Sequence, residues 1–329
     1  MRKTIFFALV ISLIAVNAYS DEDAGLGGQF LRNGIGARPL GMGGAYTAIA
    51  EGPEATYYNP AGLGFNLRLG ISLSYKSMSL DRHLSHAAIS FPIRNEAAMA
   101  ASWVNAGVGN VTGHGASQQL AGKIDNNQNA FAVSFAKAIN NTFAFGGTLR
   151  YLQEKFDNLD AFAIGVDLGA KARIKKVILV GLTAQNLGST MRWDSGNYWG
   201  DGGSSYNDEF PVVVRFGLAG NLLNDKFVPA IDFEKSGKMA VRFRAGAEYW
   251  LTKRLTKQVE DEYEEGKFNA VEYSSRWAGL RMGIDRGNLT FGASYAYVLK
   301  NTSMAIEYAF LVGQQGTSAS HIFTLKVGL

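Results

Sequence analysis

The residues of this chain that could do chemistry are few, since it holds four histidines and no cysteine. His83 and His86 stand three positions apart in RHLSH, and a metal ion bound there would need carboxylates as its further ligands. We interpret this pair as solvated polar residues of a loop after the first strand. His321 shares one face of the last apolar run with Phe323, so we expect a polar residue at the edge of an apolar surface.

A second candidate for chemistry is the glycine-rich stretch GARPLGMGGAYTAIAEGPEATYYNPAGLG, residues 36–64. A phosphate-binding loop of the G-x-G-x-x-G type would need glycine where Tyr46 stands, and the lysine of a Walker loop is missing. The glycines instead permit positive φ angles and close backbone contact. Asn59 can satisfy backbone groups, and Pro60 keeps Asn59 extended. We therefore expect a compact, non-helical structural element, and we predict no catalytic residue, metal or cofactor for the chain.

The N-terminus has the layout of a secretory signal peptide. Arg2 and Lys3 precede an apolar run, and the small residues Ala18 and Ser20 suit a cleavage site. Cleavage after Ser20 would remove residues 1–20 and leave 30 basic against 28 acidic residues, a balance that excludes a nucleic-acid-binding protein. No later apolar run reaches the roughly 20 residues that a transmembrane helix needs. The exported protein is therefore a soluble domain or a β-barrel of the bacterial outer membrane.

Strict alternation of apolar and polar residues decides between these two classes. LRLGISLSY (67–75) places leucine, isoleucine and tyrosine on one face and arginine, glycine and serine on the other. The same pattern recurs in FAFGGTLRY (143–151), VVVRFGLAG (212–220) and VRFRAGAEY (241–249). Small residues and isolated charges on the polar face suit a confined lumen better than open solvent. The pattern predicts a transmembrane antiparallel β-barrel.

Fourteen such runs can be counted between turn signals, and bacterial single-chain barrels have an even number of strands. Tight turns alternate with the long polar links 112–126 and 190–209, as periplasmic turns alternate with external loops. The predicted strands cover residues 67–78, 84–94, 99–111, 127–139, 143–156, 161–174, 177–189, 210–223, 226–235, 238–252, 276–286, 288–298, 302–313 and 318–329.

The two faces of these strands carry further predictions. Aromatic residues near strand ends are expected to form interfacial girdles. They are Tyr75, Tyr151, Tyr249, Trp250, Trp277 and Tyr297. Charges of both signs share the inward face, where they should pair and exclude an open aqueous pore. This luminal charge network comprises Arg150, Asp167, Arg215, Arg242, Arg244, Glu248, Arg281 and Glu307, with Lys171, Asp232, Glu234, Asp285 and Lys326 on the same face.

The glycine-rich stretch carries the resemblance to a known family. Residues 37–45 read A-R-P-L-G-M-G-G-A and residues 56–63 read T-Y-Y-N-P-A-G-L. These motifs resemble the N-terminal hatch of FadL-like outer-membrane proteins, and more closely that of the PorV/PorQ-type branch. The resemblance implies a barrel of about fourteen strands (65–329) with a luminal plug formed by residues 21–64. The motif residues are Arg38, Gly41, Gly43, Gly44, Tyr57, Tyr58, Asn59, Pro60 and Ala61.

Two functions follow from the resemblance and stay open. A FadL-like barrel would pass hydrophobic or amphiphilic small molecules across the outer membrane past the plug. A PorV-like protein would instead serve a secretion system by holding exported proteins at the cell surface. An outer-membrane lipid hydrolase built on His321 is a further alternative, but no Ser and Asn stand at obvious partnering positions. The expected partners are membrane lipids, a hydrophobic ligand and a secretion-system or periplasmic protein.

Residues 253–275 depart from the barrel pattern. KRLTKQVEDEYEEGKFNAVEYSS begins basic and turns acidic, a composition that favours a short solvated helix ending near Gly266. With both termini periplasmic, this link after the tenth strand would be a periplasmic insertion. We interpret it as a tolerated insertion or as a docking handle for a periplasmic partner.

Overall fold

Antiparallel strands account for most of the chain in its computed structural model. The structure describes residues 27–329 apart from 67, 94–95, 110, 115–119, 124–125, 158, 238, 261–267, 300–301 and 314–316. The predicted signal peptide 1–20 and the first residues of the predicted plug, 21–26, lie outside the described residues. The strands are β1 (Gly70–Ser77), β2 (Arg82–Ile93), β3 (Ala97–Val108), β4 (Thr112–His114), β5 (Leu120–Lys123), β6 (Asn126–Ala138), β7 (Phe143–Phe156), β8 (Leu159–Ile174), β9 (Ile178–Leu187), β10 (Thr190–Asp194), β11 (Ser205–Glu209), β12 (Val213–Gly220), β13 (Phe227–Ser236), β14 (Arg242–Glu260), β15 (Phe268–Asp285), β16 (Asn288–Leu299), β17 (Thr302–Leu311) and β18 (Ser320–Gly328).

Fourteen of these strands close into one barrel. Each strand pairs with its neighbour along the chain, and the ring closes where β1 meets β18, with Tyr75 opposite Phe323. The short strands β4 and β5 pair only with each other, and β10 and β11 form a hairpin that adds to the edge of β8. The predicted fold class and the count of fourteen barrel strands are therefore confirmed.

The alternation of the sequence becomes an outer and an inner face of the barrel. On β1, the Leu73 side chain points outward and is 48% exposed, whereas Ser72 points inward and is fully buried. The same contrast holds on β7 between Leu149 outside and Arg150 inside. An apolar band on the outside is stable when hydrocarbon rather than water surrounds it. The inner face then has to bury the polar groups.

The two ends of the barrel differ in their links. We call one the loop end; its links are 78–81, 109–125, 157–158, 188–212, 237–241, 286–287 and 312–319. We call the other the turn end, where β1 begins and β18 ends; its links are 94–96, 139–142, 175–177, 221–226, 261–267 and 300–301. The two longest links, 109–125 and 188–212, lie at the loop end, and outer-membrane barrels typically have their long loops outside and their short turns in the periplasm.

The helix expected within 253–275 is wrong for its described residues, because 253–260 and 268–275 continue the two strands that flank them; the end of the predicted helix near Gly266 lies outside the described residues. β14 and β15 pair from Arg244–Asp285 to Glu260–Phe268. Their pairing with β13 and β16 ends at Tyr249 and Ala278. The hairpin therefore extends roughly 30 Å beyond the last residues held by neighbouring strands. Valine, threonine and tyrosine in this stretch favour an extended backbone. Extending a pair of strands that is already hydrogen-bonded also avoids the cost of starting a new element, which a separate helix would have to meet.

The chain from residue 27 to residue 66 contains short helical turns, so the expectation of a non-helical stretch is wrong in this respect. Helix α1 (Ala37–Gly41) and helix α2 (Ala55–Tyr58) alternate with 3₁₀ turns at Gln29–Asn33, Gly52–Glu54 and Pro60–Phe65. A third short helix, α3 (Gly196–Trp199), belongs to the link between β10 and β11. No helix among the described residues is long and apolar enough to cross a membrane.

Candidate functional site in the barrel lumen

Residues 27–66, here called the N-terminal segment, lie against the inward face of the barrel strands. The segment hydrogen-bonds to strands on several sides of the ring, including Ala37 N to Thr324 on β18 (2.8 Å) and Tyr46 N to Asp232 on β13 (3.0 Å). Between Ile35 and Leu63 nearly every residue is buried. Burial of so many backbone groups is stable only where each finds a partner.

Glycines on both the segment and the wall bring the two backbones into contact. A Cβ atom added to Gly283 on β15 would lie 2.2 Å from Gly43 N, and one added to Gly246 on β14 would lie 2.3 Å from Met42 O. Gly43 and Gly44 themselves have positive φ angles of 64° and 77°. These positions need glycine for space or for backbone conformation. Gly43 and Gly44, which belong to the predicted hatch motif, lie where the segment meets the wall.

Arg38 is the main ionic link between the segment and the wall. Its Nε and Nη2 atoms donate to Glu248 Oε2 (2.8 Å) and Oε1 (2.9 Å), and its Nη1 atom donates to Glu51 Oε1 (2.6 Å). Glu248 on β14 is fully buried and also accepts from Arg281. Two parallel bonds between a guanidinium and a carboxylate fix geometry as well as charge. The arrangement ties α1 to two neighbouring strands.

Trp250 does not belong to the predicted interfacial girdle. It is only 6% exposed, donates its Nε1 hydrogen to Glu248 and lies within 6 Å of the Arg38 and Arg281 guanidinium groups. The reason is alternation: Tyr249 and Trp250 are consecutive, so only one of them can face outward. Tyr249 is the exposed one. The indole thus shields the ion pairs from water.

A second group of luminal charges surrounds Glu234 on β13. Its carboxylate accepts hydrogen bonds from Arg215 and from Arg244 (2.7 Å), and Arg242 lies 3.6 Å away. Arg244 also lies 3.3 Å from Asp285. Three arginines surround the single buried carboxylate of Glu234, so the carboxylate of Asp285 is needed to balance their positive charge. This group joins β12, β13, β14 and β15.

The other three predicted members of the luminal charge network, Arg150, Asp167 and Glu307, also form ion pairs. Arg150 pairs with Asp167, whose second oxygen accepts from Asn186 N at 2.9 Å. Glu307 lies 3.8 Å from Arg281 and 3.2 Å from Lys326. All eight members of the luminal charge network thus lie on the inner face in ion pairs.

The Y-Y-N-P-A motif organises the second half of the segment. The Tyr58 hydroxyl donates to Ile35 O (2.7 Å) and accepts from Ile35 N (3.1 Å), and the Tyr57 hydroxyl donates to Leu31 O. Asn59 is extended, donates to Thr47 O and Ala170 O and accepts from Ala61 N. Pro60 then opens a 3₁₀ turn. The motif therefore folds the segment on itself and fixes it to β8.

Three charged side chains that sequence reasoning did not assign to the site also hold the segment, together with Lys171, which it had placed on the inward face. Glu51 pairs with Arg38, and Glu54 accepts from Lys326 at 2.8 Å. Lys76 donates to Asn33 O (2.8 Å) towards the loop end, and Lys171 donates to Ala50 O towards the turn end. Burial would raise the pKa of the Glu51 carboxyl, but Arg38 and Lys171 outweigh it and hold that pKa at about 2. Glu51 and Glu54 could have been identified from the sequence, because they are the only acidic residues in the glycine-rich stretch 36–64.

A cavity lies at each end of the segment. The loop-end cavity has a volume of about 380 Å³ and contains five cationic side chains, one carboxylate and several apolar groups. Its charged lining is Arg32, Lys76, Arg82, Arg242, Arg286 and Asp285, and its apolar lining includes Leu40, Met78, Leu311 and Val312. The turn-end cavity has a volume of about 490 Å³ and is lined by residues of the segment, of the turns and of β6, β8, β9, β13 and β15.

The histidines have different environments from those expected. His83 and His86 lie on β2 rather than in a loop, and the His86 ring is 2% exposed with no hydrogen-bond partner on either nitrogen among the described residues. The interpretation as two solvated loop residues is therefore wrong, because β2 begins at Arg82 and turns one of them inward. His321 is exposed, and its Nδ1 atom lies 2.8 Å from the Tyr308 hydroxyl. Among the described residues, no group of three His, Asp or Glu side chains could hold a metal ion.

The comparisons with known proteins bear on the fold. No protein-family profile matches the chain, and no curated protein matches it. Among solved structures, it is similar to the Pseudomonas putida toluene transporter TodX (13% identity, TM-score 0.55, covering 90% of this chain and 97% of that one). It is similar to a Pseudomonas aeruginosa FadL homologue (11% identity, TM-score 0.55, 89% and 97%) and to the monoaromatic hydrocarbon channel CymD (13%, 0.53, 90% and 97%). The chain thus has the fold of the FadL-type barrels.

Proposed function

We propose that the protein is an outer-membrane barrel that passes hydrophobic or amphiphilic small molecules across the membrane, past a plug formed by residues 21–64. The apolar outer face supports the membrane location. The names of the structural neighbours, a toluene transporter and monoaromatic hydrocarbon channels, support passage of hydrophobic compounds. The A-R-P-L-G-M-G-G-A and Y-Y-N-P-A motifs support the PorV/PorQ-type branch of the family, and the apolar run 4–16 supports export through a cleaved signal peptide.

The observation that carries the proposal is how the segment is held. Ion pairs and backbone contacts join it to the wall, with Arg38 bonded to Glu248 and Lys326 bonded to Glu54. No covalent bond has to be broken to release the segment. Exchange of these ion pairs for others would therefore let the segment shift. Gating would require a second arrangement of the segment, and polar contacts that can exchange partners are compatible with one.

The loop-end cavity indicates which amphiphiles would enter. Its cationic side chains outnumber its single carboxylate, and Met78 and Leu311 offer apolar contact beside them. Arg82 bonds only to Ser79 atoms among the described residues, so its charge is not neutralised there. A molecule with an anionic head and an apolar chain satisfies both halves of this lining.

Uptake by cells tests the proposal. Cells that produce the protein should take up labelled long-chain fatty acid and labelled toluene faster than cells that lack it. Arg82→Gln should slow uptake of the acid several-fold and leave toluene uptake unchanged, since only the acid carries a charge. Lys175→Gln, at the turn end, serves as the matched control. Equal uptake with and without the protein would contradict passage.

A second candidate function is the PorV-like one, in which the barrel holds exported proteins at the cell surface for a secretion system. The extent of ion pairing in the lumen favours it, because the charges that would line a pore are engaged with one another and with the segment. If this function holds, deleting the gene should release surface-attached proteins into the medium and leave fatty-acid uptake unchanged. Extraction of the membrane followed by affinity purification should recover a secretion-system protein.

A further inference from the structure

We propose that the turn-end cavity is a binding site for an anionic group carried on an apolar chain. The cavity lies on the opposite side of the N-terminal segment from the loop-end cavity. It has the volume of a small-molecule site, which typically falls between about 300 and 1,000 Å³. The site goes beyond the proposed passage, because binding there does not depend on whether molecules cross the barrel.

The lining of this cavity is rich in positive charge. Its cationic side chains are Arg38, Lys171, Arg173, Lys176 and Arg276, and its carboxylates are Glu51, Glu96 and Asp225. Of these cations, only Arg38 has a carboxylate within 4 Å among the described residues, and it pairs with Glu51 and Glu248.

Three of the other cations make contact with neutral groups. Lys171 donates to Ala50 O, and Arg276 donates to Asp225 O at 2.7 Å. The Arg173 guanidinium lies over the Phe65 ring at 3.9 Å. These three cations are partly removed from water and have no carboxylate within 4 Å among the described residues, so an anion bound in the cavity would stabilise them further.

Burial strengthens this argument at Lys171. Its side chain is 3% exposed, and the carbonyl that it contacts carries no net charge. A buried ammonium group costs free energy unless an opposite charge lies close to it. Glu51 of the segment also lines this cavity, and its side chain is about half exposed. Its carboxylate is the negative charge that the segment itself contributes to the cavity.

The cavity also has an apolar part, which decides the class of ligand. Ile49 and Phe65 of the segment, together with Leu179 and Val228 of the wall, line it beside the cations. A free inorganic anion would leave these groups in contact with water. A ligand with an anionic head on a short apolar chain would pair with the cations and cover the apolar side chains. A carboxylate head and a phosphate head could each form these ion pairs.

A local fluorescence probe can test binding, because the chain has no native cysteine. Asn141 is exposed and lines the turn-end cavity, so Asn141→Cys labelled with bimane reports on that site. Ser318→Cys labelled in the same way reports on the loop-end cavity. The purified protein in nonionic detergent is titrated with octanoate, octyl phosphate, octanol and inorganic phosphate. We expect a saturable signal at residue 141 with the two charged octyl compounds and much weaker signals with octanol and phosphate.

Variants separate a binding site from a merely polar surface. Lys176→Glu should weaken octyl phosphate binding about fivefold or more at the residue 141 probe, since it reverses a lining charge in an exposed turn. Lys175→Glu is the matched control, because this neighbour does not line the cavity and should leave affinity unchanged. Glu51→Gln removes a carboxylate that competes for the same cations, so it should tighten binding, a gain that misfolding cannot produce.

The outcomes decide the proposal and the source of the ligand. Stronger binding of octyl phosphate than of octanoate points to a phosphate head, as in a lipid, and the reverse points to a carboxylate. Equal binding of octanol, equal effects of Lys175→Glu and Lys176→Glu, or no gain with Glu51→Gln would each overturn the site. Failure of the uptake experiment above would leave these titrations unaffected, so the two proposals can fail separately.

Discussion

The guanidinium of Arg38 and the carboxylate of Glu248, 210 positions apart in the chain, meet through two hydrogen bonds of 2.8 and 2.9 Å. Glu248 is fully buried, and it also accepts from Arg281 and Trp250. One wall carboxylate thus serves two arginines and an indole, and one of those arginines belongs to the N-terminal segment. Breaking a buried ion pair by removing one partner costs about 3 to 5 kcal/mol.

Glu248→Gln is therefore expected to lower the free energy of unfolding by about 3 to 5 kcal/mol, because two buried arginines lose the carboxylate that they share. Urea unfolding of the barrel in lipid vesicles measures this change. Glu209→Gln is the control, since Glu209 is exposed on β11 and surface substitutions cost within about 0.5 kcal/mol. A cost for Glu248→Gln no larger than that of the control would show that the ion pair does not hold the segment.

Deletion of residues 21–64 tests the plug. The wall has its own closed ladder of hydrogen bonds from β1 to β18, so the shortened barrel should still insert into membranes. With the segment gone, single channels in planar bilayers should conduct small ions, whereas the intact protein should not. A deletion variant as electrically silent as the intact protein would argue against a plug. A variant that never reaches the membrane would indicate a role in assembly.

Gly283→Ala is expected to loosen the segment. The added Cβ atom would lie 2.2 Å from Gly43 N and 2.3 Å from Met42 C, so backbone would have to move. Overpacking of this kind costs roughly 1 to 3 kcal/mol, and the segment should become accessible to added protease. Gly202→Ala has no atom within 4 Å of the new Cβ and serves as the control. Identical digestion patterns for the two variants would contradict the close contact.

Arginine substitutions on the two faces of the barrel should both be costly, for different reasons. Phe216→Arg places a charge on the outward apolar face, where the cost is about 2 to 4 kcal/mol near the membrane centre. Thr324→Arg points into a filled lumen, where Thr324 is buried and accepts from Ala37 N. Heat stability in detergent, with Asn207→Arg at the exposed loop end as control, measures both.

The β14–β15 hairpin should be cut by protease from the periplasm and not from outside the cell. Among the described residues, its strands beyond Tyr249 and Ala278 pair with each other and with no other strand, and a two-stranded hairpin alone is marginally stable. Replacing residues 254–275 by a short turn should leave the barrel intact. Loss of a co-purified periplasmic protein in this variant would support the docking role, and an unchanged phenotype would support a tolerated insertion. Cleavage from outside intact cells would reverse the assigned orientation.

The sequence by itself determined the barrel, because alternation is a local property of each strand. Leu73 and Leu325 read as outward and Ser72 as inward without knowledge of any partner, and fourteen such runs need a closed sheet to satisfy their backbone groups. The same rule, applied strictly, would also have placed Trp250 in the lumen beside an outward Tyr249. The luminal position of the charged residues followed from this alternation as well.

Only the tertiary structure decided which luminal groups meet. The pairing of Arg38 with Glu248, of Glu54 with Lys326 and of Lys171 with Ala50 depends on how the ring closes and how the segment folds within it. Sequence separation carries no information on such contacts, because they are set by strand register around the whole barrel. The extension of β14 and β15 beyond their neighbours also emerged only in the fold, since residues 253–260 and 268–275 continue as strand where a ladder already precedes them.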